Sequence, residues 1–570
     1  MTKMKNFKFL GLSLLVFGVA SAQDVNEAKK AIDAEQYQKA KKILNTLIAS
    51  SPDEGKNYFL LGDIYLKQKE QDSAAIYFNR GKAVKNDPEY NTIGLGHIDL
   101  DDNNAAAAQA KFDAVEKELR RKDVDQLIYI GRAYIGSDNP DYKKAISYLK
   151  KAIEKDSKNA QAYLSLGDAY YRDRNQNEAY ASYRTALSLD NTLLRAKLQI
   201  GTITKNTRAA FPEAIKAFDE VIKANPNYGP VYRELAETYY LWANVDTAKY
   251  KEYTKKALEY YEKYMSLTDY SLNSRMRHAD FLVLTREWKA LEAEAAAMQK
   301  MDKVNAKILR YLAYSAYENG NYAGSATAMQ EFLAKVDPKR VIGRDYLYLG
   351  LANLATTVGK DDKDNNIITD QAKFDQAIVD LKKAIELDPT LITEYNEVGK
   401  KLFGQKLYRP AAAVFEIGTT VPDNKNAFYD NFYLGYAIYY GHLNMSEEEQ
   451  KTNIERLKTG SAAMDKVIEL SPTSQDAYLF KARINRQIGT DASYKTMAEA
   501  YDGYIRVVNE KGTEETSKDN VKKYLVEAYS NAAGIYALSD KAKATDYYTK
   551  ALAIDPADDY VKAELSKLKK

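Results

Sequence analysis

The stretch AQAYLSLGDAYYRDRNQNEAYASYRTALSLDN, which begins at Ala160, constrains the fold more than any other feature of the chain. Tyr163, Leu166, Gly167 and Tyr170 fall on one face of a first helix, and Ala179, Tyr183 and Ala186 on one face of a second. Small residues stand where two helices can cross closely, and the aromatic rings fill the space beside them. The frame then repeats. Leu61, Gly62, Tyr65, Ala74 and Phe78 reproduce it, as do Ile130, Gly131, Tyr134, Ala145, Leu149 and Ala152. Further units carry Ile200, Gly201, Ala214 and Phe218; Tyr232, Leu235, Tyr239, Ala257 and Tyr261; and Leu349, Gly350, Phe374, Ala377 and Leu381. Others carry Val398, Gly399, Ala411 and Phe415; Leu434 and Gly435; Tyr478, Ala500 and Tyr504; and Ala544, Tyr548 and Ala551.

This pattern resembles the tetratricopeptide repeat (TPR), in which an aromatic, a Leu-Gly pair and a Tyr mark one helix and Ala, an aromatic and Ala mark the next. The resemblance implies an all-α chain, an α-solenoid of antiparallel helix pairs wound into a right-handed superhelix. Roughly thirteen or fourteen units of about 34 residues fit between Gln23 and Pro556. The division that follows is an N-terminal array over 23–270, a degenerate junction over 271–305 where Ala279 replaces the Gly, a C-terminal array over 306–556 and a capping helix over 557–570. Insertions near 244–254, 359–371, 441–452 and 512–520 are expected to be taken up in turns.

Ahead of the first repeat, MTKMKNFKFLGLSLLVFGVASAQ has a Lys-bearing start, an apolar run from Phe9 to Ala20 and an Ala20-Ser21-Ala22 site. That is the pattern of a secretory signal peptide cleaved after Ala22, and its run is too short to span a bilayer. The expected product is exported, periplasmic or secreted, without a transmembrane segment. There is no cysteine, which excludes a lipid anchor on Cys, disulfides and thiolate metal sites.

Charge argues against nucleic acid. The chain has 83 Lys+Arg and 80 Asp+Glu, and Lys3, Lys5 and Lys8 lie in the leader, so the remainder is formally neutral rather than basic. Catalytic signals are equally thin, and no enzyme activity, cofactor or metal is expected. His97, His278 and His442 belong to different repeats, and a solenoid brings only neighbouring repeats together. Asp362, Asp364 and Asn366 alternate like the first ligands of a calcium loop, but Ile367 replaces the turn Gly and Lys373 the closing Glu. Asp99, Asp101 and Asn103 fail in the same way, with Ala110 in the last place.

The TPR resemblance implies a concave groove lined by the first helix of each pair. Register selects Tyr171 and Tyr240 in the first half of the chain, and Tyr314, Tyr317, Phe403, Phe432, Tyr436 and Tyr439 in the second. Phe432, Tyr436 and Tyr440 are four apart and should share a helix face beside Tyr314 and Tyr317. Most of the 47 tyrosines occupy packing positions, so only this subset is a candidate surface. The residues after the Gly (Asp63, Arg132, Asp168, Thr202, Lys400 and Tyr436) lack the Asn of the chaperone-binding carboxylate clamp. The function implied is a protein-binding scaffold of the bacterial envelope. The alternative is a glycan-binding protein of an outer-membrane uptake system.

Overall fold

The computed structural model describes residues 25–206, 210–269, 271–302, 305–362, 364 and 366–568. The signal peptide expected over 1–22 lies outside the described residues. The chain is all-α, 80% helical, with 31 α-helices and one two-stranded β-hairpin among the described residues. Successive helices pair as a solenoid does. The helix Ala160–Arg172 packs on Gln176–Leu189, each begun by an Asn (Asn159, Asn175) whose side chain accepts from the first-turn backbone.

The turn inside many of the pairs is built from a recurrent backbone device. At Arg174 the chain turns left-handed (φ 62), and the Asn175 N–H bonds back to the Tyr170 carbonyl at 2.9 Å, closing the first helix with a Schellman-type cap. Glu35, Lys69, Asn103, Arg286 and Lys406 adopt the same left-handed conformation, with matching bonds such as Glu70 N to Tyr65 O at 2.9 Å and Leu407 N to Leu402 O at 2.9 Å. Gly320 is the residue at this position between Ala306–Glu318 and Tyr322–Lys335. Gly489, at φ 73, ends Gln475–Ile488 in the same conformation; in the turns named above L-residues carry the strain. Arg174→Gly is therefore expected to raise stability by about 0.5–1 kcal/mol, the left-handed penalty of ~1–2 kcal/mol less glycine's unfolded-state entropy of ~0.5–1 kcal/mol. Chemical denaturation reads it, and a loss of stability would contradict it.

The turn between pairs uses a different residue type. Asp156, Asp190, Asn225, Asp388 and Asp555 end their helices in extended backbone, and their side chains accept the N–H two residues on, at 3.0 Å for Asp190's counterpart Asn225 and 3.0 Å for Asp388. These are Asx turns, which is why Asp or Asn recurs there.

Close crossing of the helices explains the Gly. A Cβ on Gly167 would stand 2.5 Å from the Tyr183 ring, and one on Gly62 would stand 2.3 Å from the Phe78 ring. The unit Glu89–Asp101 and Ala105–Lys117, absent from the repeats named above, uses the same joint, with Gly96 against Phe112 at 2.5 Å. Ala179 and Ala186 are fully buried, as their place in the frame requires.

The insertions differ from expectation in an informative way. Around 244–254 the helices lengthen to Gly229–Val245 and Tyr250–Leu267, because Trp242 and Tyr253 bring their rings to 4.6 Å and extend the shared face. Around 359–371 the chain forms the strands Val358–Lys360 and Asn366–Ile368. Asn366 donates to the Lys406 carbonyl at 3.2 Å, so it braces the neighbouring turn. Around 441–452 the helix Glu447–Thr452 forms behind a capping box of Ser446 and Glu449.

The chain divides into two compact units, Met1–Ala290 and Leu291–Lys570. Among the described residues no helix is long and apolar enough to cross a membrane. The helix Asp559–Leu568 follows the last pair, with Val561 and Leu565 buried.

Candidate functional site

The strongest candidate surface in unit 2 grows from one helix, Ala427–Leu443. Leu434, Gly435, Ala437 and Ile438 are buried, and Gly435 lets the Met464 methyl approach to within 2.2 Å of where a Cβ would stand. With that face committed to the core, the other face carries Phe428, Phe432, Tyr436 and Tyr440 at four-residue spacing, flanked by Tyr429, Tyr433 and Tyr439. The rings touch in series. Phe432 and Tyr436 lie 4.3 Å apart, Tyr436 and Tyr440 6.3 Å, and Tyr439 and Tyr440 5.3 Å.

Two neighbouring helices complete the wall. Phe403 of Ile392–Gly404 sets its ring edge-on to Tyr433 at 5.5 Å. Phe480 of Gln475–Ile488 is buried and stands 4.0 Å from Tyr436 and 5.4 Å from Tyr439. The wall is thus partly spent on packing between repeats, yet Phe403, Phe432, Tyr436 and Tyr439 all remain only partly buried. Burial pushes the Tyr436 and Tyr439 hydroxyls to higher pKa, so both stay neutral donors. Beside them, a cleft of about 360 Å³ is lined by Phe428, Tyr429, Phe432 and Tyr433 on one side and Gln475, Asp476 and Lys511 on the other. Lys511 donates to the Gln475 side chain at 2.8 Å, and burial raises the Asp476 carboxyl against the pull of Lys511. An aromatic floor with a polar rim can take a side chain or a ring and orient it.

The other residues selected by register lie elsewhere. Tyr314 is buried, stacked on Tyr348 at 4.2 Å, and donates to Asp345 at 2.8 Å. Tyr317 is partly buried against Tyr322 and Tyr348. Tyr317 packs on the cluster around Leu351 and Leu381, and neither residue joins the wall around Tyr436. In unit 1, Tyr171 packs on the Tyr183 cluster, and Tyr240 lies under the Arg277 guanidinium at 4.9 Å with Phe281 edge-on at 6.0 Å.

Unit 1 also carries an ionic ladder that the aromatic pattern does not announce. Side chains of one first helix reach those of another: Lys56 to Asp125 at 2.7 Å, Arg132 to Ser165 at 2.8 Å, Arg195 to Asp168, Lys205 to Glu234 at 2.5 Å and Arg277 to Glu237 at 2.7 Å. Burial works against the Glu234 carboxylate, but Lys205 outweighs it and holds the carboxyl below its ordinary value. Arg132 and Asp168 follow the repeat's Gly directly, so register could have found them; Arg195 and Arg233 sit near helix starts, outside that rule.

The ladder meets the first turn of the same unit. The turn joining Val25–Asp33 to Tyr37–Ser50 docks against Gly229–Val245 and Tyr250–Leu267. Arg233 donates to both Glu35 carboxylate oxygens at 2.7 and 2.8 Å, and the Tyr264 hydroxyl adds a third bond at 2.7 Å. Tyr228 donates to Asp33 at 3.0 Å, the Asp269 N–H to the Glu35 carbonyl at 3.1 Å, and the Gln38 N–H to the Asp269 carboxylate at 2.7 Å.

No group of three or more His, Cys, Asp or Glu able to hold a metal occurs among the described residues. His442 is buried, and burial lowers its pKa.

Residues 25–90 and 130–192, both in unit 1, match the family model described as tetratricopeptide repeat. A TPR repeat-containing protein of Methanocaldococcus jannaschii is 22% identical over 236 residues, 39% of this chain and 41% of that protein. Superkiller complex protein 3 of Homo sapiens is 25% identical over 125 residues, 21% of this chain and 8% of that protein. The chain therefore spans less than half the length of either relative. Among solved structures, the C-terminal part of a TPR repeat-containing protein from Cytophaga hutchinsonii is 21% identical with a TM-score of 0.30, covering 51% of this chain and 99% of that one.

Proposed function

We propose that this chain is a non-catalytic scaffold of the bacterial cell envelope that holds protein partners against the inner faces of its helix pairs. The observation that supports this most is the wall on Ala427–Leu443, where a run of touching rings stays partly exposed above a cleft with a polar rim. Tyr and Phe supply large contact area at small entropic cost, as anchors of an interface do. Phe403, Phe432, Tyr436 and Tyr439 are the proposed contacts, with Tyr171, Tyr240 and Tyr317 as outlying ones. Tyr314 acts from behind, holding Asp345.

A pull-down from envelope extract, quantified by mass spectrometry for the unaltered chain and for Tyr439→Ala, tests the reading. A protein recovered by the first and depleted several-fold by the second is expected. An identical set of proteins, or recovery of a polysaccharide in place of a protein, would overturn it. The envelope assignment rests on the leader pattern over 1–22 and has its own check. Sequencing the N-terminus of the protein made in its own cells should read from Gln23; retention of Met1 would withdraw the assignment.

A further inference from the structure

We infer that the Arg195 and Arg233 side chains of unit 1 form a receptor for an acidic peptide segment with two carboxylates on residues i and i+2, and that the Asp33-Ala34-Glu35 turn occupies it in cis. This goes beyond the aromatic wall, which lies in the other unit. Glu35 is held well, with two bonds from Arg233 and one from Tyr264. Asp33 accepts one bond, from the Tyr228 hydroxyl at 3.0 Å, but meets its arginine only loosely. Its carboxylate stays 3.8 Å from the Arg195 guanidinium, whose Nε is buried without a hydrogen-bond partner.

An arginine fork takes a carboxylate best through two parallel N–H bonds. A short acidic segment free of the turn's constraints can give Arg195 that geometry, satisfy the orphaned Nε and still place its second carboxylate on Arg233. The cis occupant is itself constrained. Glu35 stands at a left-handed φ of 59; its carboxylate is fixed by Arg233 and its carbonyl by the Asp269 N–H, both far on in sequence. Asp168 remains against Arg195 and Glu234 near Arg233 at 3.9 Å when the turn leaves, so neither cation is stranded during exchange. A tethered occupant acts at an effective concentration on the order of millimolar, so a free segment competes weakly until the cis carboxylates are neutralised.

The test uses the full chain and, as probe, a capped synthetic peptide of residues 31–38, AIDAEQYQ. Neutralising the turn with Asp33→Asn and Glu35→Gln should tighten peptide binding at least ten-fold over the unaltered chain. Adding Arg233→Ala to that variant should abolish binding, and a peptide with Gln in place of its Glu should not bind. Equal affinity for the unaltered and neutralised chains, no binding to either, or binding that survives Arg233→Ala would each overturn the inference. Should circular dichroism show the double variant unfolded, Glu35→Gln alone enters the same comparison. The swapped pair Glu35→Arg with Arg233→Glu restores the cis contact and should exclude the peptide as the unaltered chain does. The wall on Ala427–Leu443 is untouched in every arm, so failure here leaves its role standing.

Discussion

Truncating Asp345 to alanine is expected to cost unit 2 about 3 kcal/mol, the low end for removing one partner of a buried ion pair. The Asp345 side chain is fully buried. One oxygen accepts from Arg310 Nε at 2.7 Å and from the Tyr314 hydroxyl at 2.8 Å; the other accepts from the Arg310 guanidinium at 2.8 Å and from the Ile342 N–H at 2.9 Å. Alanine orphans all four donors at once. Arg310, 16% exposed, keeps one bond to the Arg340 carbonyl at 2.8 Å, which is why the low end applies. With two units, a single melting curve mixes transitions. Hydrogen exchange in Ala306–Glu318 and Gly343–Thr356 isolates the effect, and a loss below about 1 kcal/mol would show that the network is not the clamp its geometry implies. Asp345→Asn, which keeps the shape and loses the charge, should fall between the two.

Gly167→Leu should be as damaging through the opposite fault, overpacking. Even a Cβ at this position would meet the Tyr183 ring at 2.5 Å. That ring cannot swing aside, because it is fully buried and its hydroxyl is bonded to Asp168 at 2.9 Å, which Arg195 holds in turn. The helices must therefore part, at about 3 kcal/mol. In a stacked array the damage stays near its source. Exchange should accelerate in Ala160–Arg172, Gln176–Leu189 and the flanking helices while unit 2 is unchanged; uniform loss across both units would contradict a repeat-by-repeat fold.

What could be read from sequence was whatever repeats. Gly167 against Tyr183, and Gly62 against Phe78, follow from a frame in which each small residue has an aromatic at a fixed distance. The unit of Gly96 and Phe112 escaped because Gly94 stands two residues before it and blurs the Leu-Gly signal. The four-residue spacing of Phe432, Tyr436 and Tyr440 placed them on one face correctly. The contact of Tyr436 and Tyr440 with Phe480 was hidden, since it depends on how one repeat lies on the next. Tyr314 shows the same limit: its register fits a groove, yet its hydroxyl is bonded to a buried carboxylate on the next pair. Least legible was the turn at Asp33 and Glu35. Its partners Arg195, Arg233 and Tyr264 are far off in sequence, and such a contact leaves no periodic trace.

On the proposed reading, the wall on Ala427–Leu443 has rings to spare after packing, and these bind a partner. The direct measurement is affinity and melting temperature together, for Tyr436→Ala and Tyr439→Ala against the partner recovered by the unaltered chain. Tyr439, farther from Phe480 than Tyr436 is, should lose at least ~1 kcal/mol of affinity, more than a five-fold weakening, with little change in melting. Tyr436 should lose both. Unchanged affinity in both variants with a clear drop in melting would return the rings to the core and contradict the claim.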